Sequence, residues 1–135
     1  MIHVFCNKRG SGKTKALINL ANEKVLESKG HVVYIDDDRR PLLELDRKIR
    51  FVDTGDFDLK QEDSFYGFLC GIISEDYDID TIFIDGLLNI IDMDINDGAH
   101  LFSQLEKITN KHNIEFYINI NGEEEVPEFI KRYVA

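Results

Sequence analysis

Apolar, β-forming residues recur along this chain in short blocks, at residues 2–6, 32–35, 49–52, 81–84 and 114–120. Most of these blocks are near-continuous apolar runs, the pattern of strands covered on both faces. The stretches between them carry a helical period instead. Residues 13–28 place Ala16, Leu17, Leu20, Ala21 and Val25 on one face, and Gly30 follows as a stop signal. Ser64 can cap a helix running through Phe65, Phe68, Leu69, Ile72 and Ile73. Residues 97–112 carry Leu101, Leu105 and Ile108, and residues 123–134 open with acids and close with Lys131 and Arg132, matching a helix dipole. Pro41 and Pro127 stand where helices can begin. Strands alternating with helices predict βαβ units. The fold class expected is therefore α/β: a three-layer αβα sandwich around a five-stranded, mainly parallel sheet, built as one domain over residues 1–135. Ligands of such sheets gather at the carboxyl ends of the strands, here just after Cys6, Ile35, Val52, Ile84 and Ile120.

Charge narrows the partners. The 26 acidic residues outnumber the 16 Lys and Arg, for a formal net charge of −10. A surface of that sign repels phosphodiester backbones and anionic membranes, so both nucleic acid and an anionic membrane surface are disfavoured as partners. No apolar run approaches the ~18 residues of a membrane span, and the opening residues lack the charged and apolar regions of a secretory signal. The localisation expected is cytoplasmic, with no membrane insertion. Cys6 and Cys70 have neither metal nor redox spacing and read as free buried thiols.

The chemistry concentrates after the first strand. Asn7, Lys8, Arg9, Gly10, Ser11, Gly12, Lys13 and Thr14 lie between a predicted strand and a predicted helix, the context a phosphate-binding P-loop requires. Gly10 and Gly12 allow the backbone to turn so that successive N–H groups converge on phosphate oxygens, and the helix N-terminus adds its dipole. Lys13 is placed to reach the β- and γ-phosphates, and the Thr14 hydroxyl to ligate Mg²⁺. Other patterns fail. Residues 92–98 imitate a Ca²⁺ loop, but the glycine comes one position late and Ser103 stands where a bidentate Glu is needed. His3, His31, His100 and His112 show no ligand spacing. The acids of residues 53–63 read as a solvated loop.

These residues resemble the P-loop NTPase superfamily, carried by Gly12-Lys13-Thr14 and the loop length, with Asn7 where the family has its first glycine. The resemblance implies several further roles. The apolar strand ending in Asp85 resembles a Walker B element, whose carboxylate holds Mg²⁺. Gly86 follows it where many family members keep a glutamate base. Asp37 or Asp38, after the second strand, resembles by position the water-activating acid of RecA-like ATPases, and Arg39 or Arg40 the cation that steadies a transferring phosphoryl group. Asn119 or Asn121 resembles the γ-phosphate sensor on the last strand. Lys8 stands where MinD/ParA-like ATPases keep an additional lysine. Two strands between P-loop and Walker B imply a minimal RecA-like core with sheet order 3-2-4-5-1. The chain as a whole is also similar to short bacterial P-loop proteins labelled as relatives of the twitching-motility retraction ATPase. The His- and Asp-rich boxes of that ATPase are not in this sequence, so a pilus role is not carried over.

The resemblance implies a small cytoplasmic protein that takes ATP and Mg²⁺, a slow ATPase whose nucleotide state controls a protein partner or a homo-oligomer. The alternative is a nucleotide-binding sensor or adaptor without hydrolysis, which the missing glutamate favours. A small-molecule kinase ranks third, because arginines suited to a lid are confined to Arg39, Arg40 and residues 47–50. Guanine specificity is disfavoured because Asn110-Lys111 is not followed by the Asp that reads guanine.

Overall fold

A computed structural model describes residues 1–7, 12–121 and 125–134. Strand β1 (Ile2–Asn7) leads towards helix α1 (Lys13–Glu27), and β2 (His31–Asp36) towards the short strand β3 (Arg50–Asp53). Helix α2 (Glu62–Glu75) returns the chain to β4 (Ile79–Ile84). A single helical turn, α3 (Leu87–Ile90), precedes the longer α4 (Ala99–His112), β5 (Glu115–Asn121) and a last turn, α5 (Glu128–Lys131). The sheet has 5 strands in the order β1-β5-β4-β2-β3, which counted from the opposite edge is 3-2-4-5-1. Every pairing is parallel. The outer edge of β1 is met by the C-terminal segment, where Val4 N donates to the Tyr133 carbonyl at 2.8 Å and Val4 bridges Val134.

Alternation along the strands divides the core in two. On one face Val33, Ile35, Ile82, Ile84, Phe116 and Ile118 pack against α2 and α4 through Phe65, Leu69, Leu101 and Leu105. On the other, Val32, Tyr34, Phe83 and Tyr117 pack against α1 through Leu17, Ile18 and Ala21. Helices on both faces give the three layers, and they explain why the strand sequences are apolar at consecutive positions. The α1 face holds a continuous row of rings. His3, Tyr117, Phe83, Tyr34 and Phe51 occupy register-paired positions on β1, β5, β4, β2 and β3. Neighbouring centroids are 4.5, 4.9, 5.9 and 6.3 Å apart, all in stacked orientation. His3 is thus a packing residue.

Some boundaries differ from expectation. The sheet is wholly rather than mainly parallel. The helix expected over 123–134 is, among the described residues, only Glu128–Lys131, because Pro127 is its N-cap. The helix expected from residue 97 begins at Ala99. Asp94 diverts the preceding residues into a tight turn by accepting a bond from Asn96 N at 2.9 Å. That turn also accounts for the false resemblance to a Ca²⁺ loop. No helix among the described residues is long and apolar enough to cross a membrane.

Candidate functional site

Parallel strands bring their carboxyl ends to one rim, and the polar residues of this chain converge there. An open cleft of about 460 Å³ is lined by Thr14, Asp36, Asp37, Asp38, Asp85 and Asn121, with Arg40 and Asn89 at its margin. Of the expected phosphate loop, Lys8, Arg9, Gly10 and Ser11 lie outside the described residues, as does the side chain of Asn7. The loop's exit is described. Gly12 has φ +80°, a left-handed conformation that glycine adopts at no steric cost, and its carbonyl accepts the first helical bond of α1, from Ala16 N at 3.0 Å. Lys13 and Thr14 then open the helix. Thr14 is exposed on the cleft wall. Lys13 is buried at 9% exposure. Burial lowers its pKa, while the charge of Asp85, and to a lesser degree Cys6, holds it up.

Asp85 follows β4 and is 5% exposed. Its backbone N–H still donates to the Ile35 carbonyl at 2.9 Å, so the carboxylate stands on the last rung of the β4–β2 ladder. Tyr34 Oη donates to its Oδ2 at 2.9 Å, and Asn119 Nδ2 to its Oδ1 at 3.2 Å. Gly86 comes next, with φ +70°. A side chain there would have to adopt left-handed backbone, and its Cβ would lie 2.9 Å from Asn89 Nδ2. The local turn therefore disfavours a glutamate at the position where the sequence lacks one.

The second strand supplies a residue that sequence reasoning passed over. Of the three consecutive acids, Asp36 is the buried one, at 6% exposure. Burial and the neighbouring Asp85 charge push its pKa up from 3.8 to about 9, although Asp38 N donates to its Oδ1 at 3.1 Å. Its signal was the alternation Val32, Tyr34, Asp36, which puts it on the α1 face. Asp37 is exposed on the cleft wall. Asp38 is held by Arg40, whose Nε donates to Oδ2 at 2.6 Å. That pair lowers the pKa of Asp38. Arg39 turns away and pairs with Asp53 at 3.0 Å. The two asparagines also separate. Asn119 is buried, with its amide donating to Asp85 and to the Lys13 carbonyl, whereas Asn121 lines the cleft.

No known family model matches the sequence, and no curated protein does. A larger groove of about 710 Å³ lies between β3 and α2, lined by Phe57, Phe68 and Val52 among others. It does not gather buried ionisable groups, whereas Lys13, Asp36 and Asp85 are all buried at the carboxyl rim. The fold also brings His31, Asp76 and Asp78 together at the far end of the sheet, with ligand atoms within 4.8 Å of one another. The His31–Asp76 pair at 2.6 Å and the bond from Asp78 N to Asp76 Oδ1 at 3.0 Å account for that grouping. Cys6 and Cys70 are free and half-buried.

The raised pKa of Asp36 has a consequence for stability. The folded chain retains a proton that the unfolded chain releases near pH 3.8. This contribution is fully favourable below that value and is lost progressively as pH rises towards about 9. Asp36→Asn has no such proton to lose. The variant is expected to exceed the unmodified protein in stability by several kcal/mol at pH 8, and nearly to match it near pH 4. Urea unfolding at both pH values reads this directly. An unchanged pH dependence in the variant would contradict the assignment.

Proposed function

We propose that this chain is a small P-loop nucleotide-binding domain with a minimal RecA-like core, taking ATP with Mg²⁺. The observation that supports it best is one juxtaposition. A left-handed Gly12 opens a helix with Lys13 and Thr14 at the carboxyl rim, beside the buried Asp85 of a strand separated from β1 by β5. The donor set suits the ion: hydroxyl and carboxylate oxygens are the ligands a hard cation such as Mg²⁺ takes. The buried pair Asp36 and Asp85, whose mutual repulsion helps to raise the pKa of Asp36, would be relieved by a divalent charge. In this reading Thr14 and Asp85 hold Mg²⁺, which when bound neutralises charge on the phosphates. Lys13 contacts the phosphate tail, and its partly desolvated amine interacts more strongly with an anion than a solvated one does. Asp37 orients the attacking water, and Asn121 monitors the terminal phosphate from the cleft wall. The nucleotide state then governs contact with a protein partner or a second copy in the cytoplasm.

Gly86 favours a second reading, a nucleotide-binding sensor that does not hydrolyse. Phosphate release from ATP with Mg²⁺ separates the two. A slow ATPase is expected to lose at least about a hundredfold in rate with Asp37→Ala, the ordinary worth of a general base. Nucleotide binding without release in the unmodified protein would instead select the sensor.

A further inference from the structure

Asp85 is gripped from both sides. Strand β4 lies between β5 and β2, and each neighbour sends one neutral donor to the carboxylate. Asn119 of β5 donates to Oδ1 at 3.2 Å, and Tyr34 of β2 donates to Oδ2 at 2.9 Å. The same Asn119 amide donates to the Lys13 carbonyl at 3.2 Å, tying Asp85 to the first residue of α1. The arm from Tyr34 is the more rigid. Its ring is fully buried and stacks on Phe83 at 5.9 Å and on Phe51 at 6.3 Å. Phe83 stands on β4 two residues before Asp85, which follows the strand, and Tyr34 is its register partner. The ring that carries the hydroxyl and the strand that leads to the carboxylate are therefore packed as one unit.

A carboxylate oxygen has two lone-pair directions. One donor from each neighbouring strand holds one direction of each oxygen and so restricts how the carboxylate can turn at the cleft. Without the hydroxyl, rotation of the carboxylate is limited from one side only. We propose that Tyr34 is a positioning residue: through its hydroxyl it fixes the orientation of Asp85 for a divalent cation held at the cleft. This rests on the reading of Asp85 as a cation ligand. Partners that orient metal ligands are typically worth about 10–100-fold in metal affinity.

Tyr34→Phe keeps the stacked ring and removes only the oxygen. The test uses the full chain with ADP, which avoids turnover, and follows the thermal midpoint as MgCl₂ is added. The Mg²⁺ concentration for half-maximal stabilisation is expected to rise about tenfold in the variant. Stabilisation by ADP in EDTA is expected to be unchanged, a split that a general loss of packing would not produce. In an Asp85→Asn background, Tyr34→Phe should add no further shift. Asn119→Ser, which shortens the other arm, should raise the Mg²⁺ requirement in the same direction and serves if Tyr34→Phe does not fold. An unchanged Mg²⁺ requirement in Tyr34→Phe, or an equal loss of metal-free ADP binding, overturns the positioning role while the nucleotide reading stands. Absence of any nucleotide effect on the unmodified protein removes that reading and this inference with it.

Discussion

Phe83→Ala is expected to destabilise the chain by about 3–5 kcal/mol, the usual cost of emptying a large aromatic site in a core. Phe83 is fully buried on β4, which has a strand on either side. It is the middle ring of the row, with Tyr117 at 4.9 Å and Tyr34 at 5.9 Å. Its removal takes away apolar burial and two ring–ring contacts, and it opens a space between the sheet and α1 that cannot readily close, because β4 is fixed by parallel ladders on both sides. Against a total stability of about 5–15 kcal/mol, the loss should lower the thermal midpoint by roughly 10–20 °C. Tyr77→Ala, at a residue 84% exposed, is the control and should change stability by less than about 0.5 kcal/mol. A Phe83→Ala protein melting within a few degrees of the unmodified chain would mean that the row is not a structural unit.

Lys13→Ala is expected to abolish stabilisation by nucleotide and leave the fold intact. At a hundredfold excess of ligand over Kd the stabilisation at stake is about 2.7 kcal/mol. Two opposing terms decide the effect on the free protein. Burial disfavours the ammonium, so its removal relieves a cost, while the loss of its attraction to Asp85 adds one. These offset in part, and α1 retains its anchors Leu17, Ile18 and Ala21. No such offset exists for a bound polyphosphate, which loses a charge-assisted contact. Lys29→Ala, an exposed lysine beyond the far end of α1, should keep the nucleotide effect. Full retention of stabilisation in Lys13→Ala would show that the phosphates bind elsewhere.

The layers of this fold are legible in the sequence because burial on both faces writes itself as apolar runs. Residues 81–84 and 114–120 could hardly be read otherwise. The short turns are not legible. Helix α3 has only 4 residues, too few to display a period, and α5 is confined by a proline. At the site, Thr14 and Asp85 could be named from motif spacing because both follow directly from a strand–turn pattern. Asp36 could not be ranked above Asp37 and Asp38 by composition, since the three are identical residues. What distinguishes them is strand register, which carries Tyr34 and Asp36 to the same face. Tyr34 itself was invisible as a site residue, because its partner lies 51 positions away and only the β2–β4 pairing brings the two together.

The proposed function requires that the segment between β1 and α1 binds a polyphosphate. Thermal unfolding of the unmodified chain with ATP, ADP and inorganic pyrophosphate, each with and without Mg²⁺, tests it most directly. A midpoint that climbs with the logarithm of ligand concentration, more steeply raised when Mg²⁺ is present, is the expected result. A midpoint that stays fixed for every one of these ligands would contradict the account.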